Sequence, residues 1–242
     1  MTLLAVVRDV CMAVGVTAPS SVFSGITGNR TMQEMLSLAN EMAQRIAYDF
    51  RDWTKFRKTA SLVGDGHFVG SVWTGAMAFN LPADYKRMLL TSNVWRSTSA
   101  QAPMMFIPDA DEWLNRRALS WYDQPYGEWT MIGGQMLIAP IMGVGTNATF
   151  AYMHKNCITL AAGGVASEFL ADTDSFALDE RLLKLGMIWQ WKAGKGGAYA
   201  EDLSTYGDAL NFIAGRDAPA PIIVGRRPMP AAVQASYPYP MP

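Results

Sequence analysis

The chain has few of the residues that most often carry chemistry. Its 242 residues include two histidines, His67 and His154, and two cysteines, Cys11 and Cys157. Cysteines so far apart make neither a disulfide framework nor a C-x-x-C pair, and they fit two buried thiols in a reduced setting. Neither histidine accompanies a G-x-S-x-G element or a Cys/His signature, so no hydrolase triad is legible. His67, within Gly64-Asp65-Gly66-His67, reads as a solvated loop residue, and His154 as a strand residue at a sheet edge. Charge is also scarce: 17% of residues are charged and the formal net charge is -1, without the basic surplus of a dedicated nucleic-acid binder. Long apolar runs are missing too. The uncharged stretch 131–154 is broken by Gly133, Gly134, Pro140, Gly143, Gly145 and Asn147, which make turns rather than a spanning helix. Arg8 and Asp9 interrupt the first apolar run and no basic residue precedes it, so no secretory signal is read there. A soluble protein is expected, with no membrane partner and no cofactor.

Apolar bulk is plentiful. Half of the residues are hydrophobic, with 16 Met and 8 Trp, types enriched where proteins meet one another. The most informative stretch is residues 172–215, DTDSFALDERLLKLGMIWQWKAGKGGAYAEDLSTYGDALNFIAG, which reads as a tryptophan-bearing helix, a glycine turn and a second helix. Tyr199, Leu203, Tyr206, Leu210 and Ile213 recur at steps of four, three, four and three, one stripe of a helix. The helix before it reads as capped by Asp174, with Asp179 and Glu180 near its first turn and Gly194 at its end. Its apolar positions, Leu178, Leu182, Leu183, Leu185, Met187, Ile188, Trp189 and Trp191, are too many for one stripe. Such a helix lies at the centre of a bundle or faces another subunit.

Upstream, Leu3, Val7, Val10 and Val14 define a short helix over residues 2–14. Thr31-Met32-Gln33-Glu34 matches a capping box that opens a helix carrying Met32, Met35, Ala39, Met42, Ile46 and Phe50. From residue 53 short alternating runs such as Met77, Phe79 and Leu81 indicate strands. Gly133-Gly134 suits a two-residue hairpin turn that would pair Met131 with Met136 and Trp129 with Ile138. Phe150, Tyr152 and His154 alternate along another strand, and Asp109 is expected to cap a helical excursion reaching Leu119. The last 26 residues hold seven prolines and cannot form a core element. They contain Ile222, Ile223, Val224, Arg226, Arg227, Tyr237 and Tyr239, suited to gripping a partner.

The expected class is α+β. Residues 1–52 and 166–215 form one discontinuous helical bundle, residues 53–165 a β-rich, sandwich- or barrel-like insertion, and residues 216–242 an extended tail. Asp172, Asp174, Asp179 and Glu180 form the densest carboxylate cluster, but their spacing fits no calcium loop and helix capping explains them as well. Gly194-Lys195-Gly196-Gly197 lacks the Walker spacing and follows a helix, so a helix–helix turn is expected instead of a phosphate loop. No catalytic, cofactor or metal residues are assigned.

Several segments carry a resemblance in their order and spacing. They are the helix ending at Asp49-Phe50-Arg51-Asp52-Trp53, then Leu81-Pro82-Ala83-Asp84-Tyr85, residues 128–140, FLADTDSF at residues 169–176, LDERLLKLGMIWQWK, and the later Tyr199 and Asp202. In these the chain resembles the head–tail adaptor proteins of tailed bacteriophages, the group that includes tail tubular protein A. The resemblance implies a structural virion protein at the head–tail interface, present in the host cytoplasm during assembly. It implies a ring, usually of twelve copies, beneath the portal protein. Such a ring extends the channel through which double-stranded DNA passes without sequence-specific binding, and it gives a downstream tail or nozzle protein its attachment surface. The tail residues named above are then portal-docking candidates. Met35, Met42, Leu185, Trp189 and Trp191 are subunit-interface candidates, since a ring needs two complementary patches on each copy. A receptor- or glycan-binding module built on the β-rich region, with Trp residues as stacking platforms, is the alternative.

Overall fold

The computed structural model of the chain describes residues 1–24, 28–69, 72–89, 92–98, 102–119 and 125–217, with Val72 and Trp73 described in backbone only. Ile222, Ile223, Val224, Arg226, Arg227, Tyr237 and Tyr239 lie outside the described residues. The class is α+β. Helices α1 (Leu3–Ala13) and α2 (Arg30–Tyr48) come first, and a 3-10 turn at Thr54–Phe56 leads into β1 (Arg57–Val63). Then follow β2 (His67–Val69), β3 (Val72–Thr74), β4 (Ala78–Asn80), β5 (Tyr85–Met88), β6 (Trp95–Arg96) and β7 (Met105–Phe106). After α3 (Ala110–Ala118) come β8 (Glu128–Ile132), β9 (Gln135–Ala139), β10 (Asn147–His154), β11 (Ile158–Thr159), β12 (Val165–Ala166) and β13 (Ser175–Phe176). The described chain closes with α4 (Glu180–Gly194) and α5 (Ala200–Asp217).

Helix α4 contacts α1, α2 and α5, which accounts for its apolar residues exceeding one stripe. Leu182, Leu183 and Met187 are fully buried in a cluster shared with Val6, Val7 and Val10 of α1, Met35, Met42 and Ile46 of α2, and Tyr206 and Leu210 of α5. Gly186 sits where α4 meets side chains of α2 and α5. A Cβ there would stand 3.4 Å from the Tyr206 ring and run into the Met42 methyl group. The cluster also takes in Trp53, Phe56, Met153, Ile158 and Phe176, so the first residues after α2 and the small β12-β11-β13 sheet are anchored on the helices.

Helix starts differ from expectation at two places. Asn29, not Thr31, caps α2: its side-chain oxygen accepts from Thr31 N at 3.1 Å and Met32 N at 3.4 Å, while Glu34 turns outward to Arg30 and Lys195. Asp179, not Asp174, caps α4, accepting from Arg181 N at 2.7 Å. Asp109 caps α3 as expected. Phe50 lies past the end of α2 and is exposed.

Two four-stranded sheets face a second cluster. In one, β10 lies between β1 and β5, with β6 also paired to β10; the other runs β4-β9-β8-β7. Ala60, Leu62, Ala148, Phe150 and Tyr152 from the first meet Trp129, Met136 and Ile138 from the second. The expected hairpin is present, with Met131 opposite Met136 and Trp129 opposite Ile138. Its Gly133 and Gly134 have φ of 62° and 78°, both in the left-handed region that a type I′ turn requires. His154 is on a strand and His67 is exposed, as expected, but their settings differ. His154 ends the central strand β10 and is buried against Phe56, not at an edge, while His67 begins β2 instead of lying in a loop.

Where β1 ends, two backbones touch. A Cβ on Gly64 would come within 2.5 Å of the Met142 carbonyl oxygen and 2.7 Å of that of Gly143, and the Gly64 amide donates to the Thr146 carbonyl at 2.8 Å. Backbone cannot swing aside as a side chain can. Gly64→Ala is therefore expected to lower stability by about 1–3 kcal/mol, measured as a reduced urea midpoint at unchanged slope.

Candidate assembly surface

Loop 169–176 is built around two carboxylates. Asp174 is buried, and its oxygens accept from Ala161 N at 3.2 Å, Leu170 N at 2.9 Å and Ala171 N at 2.7 Å. Its backbone carbonyl accepts from Leu3 N at 2.7 Å, and that of Asp172 from Leu4 N at 3.1 Å, so the loop receives the amides that open α1. The Asp172 carboxylate takes the Ser21 hydroxyl and the amides of Val22, at 2.9 Å, and Phe23, at 3.2 Å. The carboxylates that looked like a cluster in sequence thus serve separate backbone segments. Among the described residues no three His, Cys, Asp or Glu side chains are grouped to hold a metal ion.

The interface candidates separate into two groups. Met35 and Met42 are fully enclosed in the chain's own core, because α4 already covers the face of α2 that carries them. They are core residues, a correction to the expectation that they meet another subunit. Leu185, Trp189 and Trp191 are half-buried. The Arg45 guanidinium stacks over the Trp189 ring at 5.6 Å, and the Lys195 ammonium over Trp191 at 4.7 Å. Trp191 also lines a groove of about 290 Å³ with Glu34, Leu38, Gln190, Gly194 and Lys195. Lys195–Glu34 at 2.7 Å and Gln190–Glu41 at 2.8 Å tie α4 to α2 across it, and Lys195 and Arg30 hold the Glu34 carboxyl below its ordinary range.

The first turns of α5 and the residue before it are less covered than its middle. Tyr206 and Leu210 of the expected stripe are buried and Ile213 is partly so, but Tyr199 and Leu203 are each 41% exposed. The apolar meridian that packs on α4 at one end is therefore bare at the other. Phe212 lies on the opposite side, 64% exposed beneath the Arg216 guanidinium. Sequence reasoning passed over Phe212, although an aromatic residue on the polar side of an amphipathic helix was a readable sign.

Elsewhere the polar interior is structural. Glu128 is fully buried and binds Arg116 at 2.5 Å and Arg117 at 2.6 Å, clamping α3 onto β8; nothing in the sequence pattern marked it. Burial pushes the Cys157 thiol up to about 11 and also raises that of Cys11, so neither is a reactive thiolate at neutral pH. His154 Nδ1 accepts from Asn156 N at 3.2 Å, and burial, assisted by nearby Lys58, lowers its pKa. The folded protein thus favours the neutral imidazole more than the unfolded chain does. No described helix is long and apolar enough to cross a membrane. A scan of the sequence against protein-family models finds no match, and a comparison with curated proteins finds none either.

Two stability measurements follow from these contacts. Asp174→Ala strands three amides and is expected to cost on the order of 3 kcal/mol or more. Asp179→Ala removes only a cap and should cost about 1 kcal/mol, so their urea midpoints should separate clearly. For His154 the unfolded chain binds the proton more readily than the folded one. Its contribution is complete above the ordinary value of 6.5 and is lost as pH falls from there toward the lowered folded value. A series of urea midpoints through that window should decline for the native chain and less so for His154→Gln.

Proposed function

We propose that the chain is a structural virion protein, a head–tail adaptor. Copies assemble as a ring beneath a portal, extend its DNA channel and give the tail its attachment surface. The observation that carries this reading is the exposed pair Tyr199, just before α5, and Leu203 within it, in helical phase with the buried Tyr206 and Leu210, together with the half-buried Trp189 and Trp191 of α4. Apolar surface left bare in line with a core is what a neighbouring copy covers when a ring closes.

The segments that resemble the adaptor family support the reading in a second way. Residues 169–176 and the α4 sequence fasten α1 to the later helices, as expected of a frame that carries load and not of a pocket that turns over substrate. In this reading residues 1–52 and 166–215 act as one helical domain, residues 53–165 as a β-rich insertion, and the segment after α5 reaches for the portal. A formal net charge of -1 suits a conduit through which DNA slides, since many phosphate contacts would hold it. No catalytic role is assigned. The glycan-binding alternative has less support: Trp53, Trp113 and Trp129 are buried, and of these described indoles in the β-rich region and at its border only Trp95 is exposed as a platform.

The test is assembly with the cognate portal protein, followed by electron microscopy and sedimentation. The native chain should form rings or a stoichiometric portal complex. Leu203→Glu, at an exposed position, should keep the native melting temperature within a few degrees and lose the ring. A native chain that stays monomeric with its portal present overturns the reading.

A further inference from the structure

No strand among the described residues pairs with the outer edge of β1. Among the described strands β1 pairs with β10 alone, in unbroken register from Arg57 opposite Met153 to Val63 opposite Asn147. In an antiparallel pair, half of an edge strand's N–H and C=O groups face away from the partner. Proteins guard such edges with proline, bulges, short length or free charge. Strand β1 has seven residues, no proline and no bulge. Its two cations do not guard it either: Lys58 binds Asp84 at 2.7 Å, and the Arg57 guanidinium donates to the Asp52 carbonyl at 2.8 Å.

The end of α5 is fastened close to the start of that edge. The Asp217 carboxylate accepts from Thr54 N at 3.0 Å and from the Thr54 hydroxyl, and Arg51 reaches both the Ala214 carbonyl and Asp217. Thr54 precedes the first residue of β1 by three positions. The sequence beyond Asp217 begins Ala218-Pro219-Ala220-Pro221, and then six residues, Ile222-Ile223-Val224-Gly225-Arg226-Arg227, separate Pro221 from Pro228. Every one of these six keeps its backbone donor, and the first three are β-branched.

We propose that the free edge of β1 is the docking site for residues 222–227 of the same chain, which add to the sheet as a parallel strand. The lengths agree. Four linking residues span up to about 13 Å, enough to pass from Asp217 to the side of β1. Six residues then cover roughly 20 Å, against roughly 23 Å for β1 itself. A chain leaving the root of β1 and following it runs in the same direction, hence parallel. The short tether favours the chain's own segment over that of another copy, because linkage of this kind acts as a millimolar local concentration. Residues 228–242, with Tyr237 and Tyr239, remain available for the portal, whereas in this proposal residues 222–227 are taken up by β1 and are not portal contacts. The inference rests on the β1 edge and the Asp217 clasp and does not depend on the assembly reading.

Both tests use the full chain without a portal, so their failure is distinct from failure to form a ring. Cysteines paired between β1 (Thr59→Cys or Ser61→Cys) and the segment (Ile222→Cys, Ile223→Cys or Val224→Cys) are oxidised, with little background from the buried Cys11 and Cys157. An intramolecular disulfide at monomer mass is expected in at least one pair. Links between chains, or no link in any pair, overturn the proposal. In the second test Ile223→Pro removes a donor outside the described fold. Hydrogen exchange of the β1 amides facing away from β10 should accelerate about tenfold or more, with the β8–β9 hairpin unchanged. Unchanged exchange at β1 overturns the proposal as well.

Discussion

A buried carboxylate surrounded by backbone amides sets the geometry of the helical half. Asp174 gathers the amides of Ala161, Leu170 and Ala171, and its own carbonyl receives the first amide of α1. A carboxyl group out of water is tolerated only when such donors replace its hydration. The carboxylate's donors come from the turn at Ala161 and from the loop itself, while the Asp174 backbone carbonyl takes the Leu3 amide, so this one residue joins three segments that are distant in sequence. The buried face of α4 is useful only because this loop delivers it between α1 and α2. The same logic recurs at Glu128, where one enclosed carboxylate holds two arginines and with them α3.

What was legible in the sequence was periodicity backed by turn chemistry. The Gly133-Gly134 hairpin could be read down to its cross-strand partners, because two glycines at positive φ leave one register. Helix α4 could be recognised as buried on several sides from its apolar count alone. Less legible were features that depend on which neighbour arrives. Thr31 has the right residue type for a cap and Glu34 the right spacing, but Asn29 comes first and Glu34 is taken by Lys195 from α4. Asp174 and Asp179 are equivalent as letters; only the folded loop assigns one to the interior and the other to a helix start.

The candidate surface was half readable for a related reason. Met35, Met42, Trp189 and Trp191 are alike as large apolar residues on amphipathic helices. Which of them stays at the surface depends on where α4 lies against α2 and α5, and pattern does not encode that placement. Tyr199 and Leu203 show the converse: they keep phase with Tyr206 and Leu210, yet they are exposed where those are buried.

The central position of α4 also has a consequence for synthesis. Helices α1 and α2 are made first, yet the surface that covers them begins at Glu180, while strands β1 to β10 find their partners among themselves. At ordinary translation speeds the two early helices wait on the order of ten seconds with apolar faces bare. During that interval the nascent chain is a natural client for a holding chaperone, and a pause introduced between codons 48 and 180 would lengthen its exposure to aggregation.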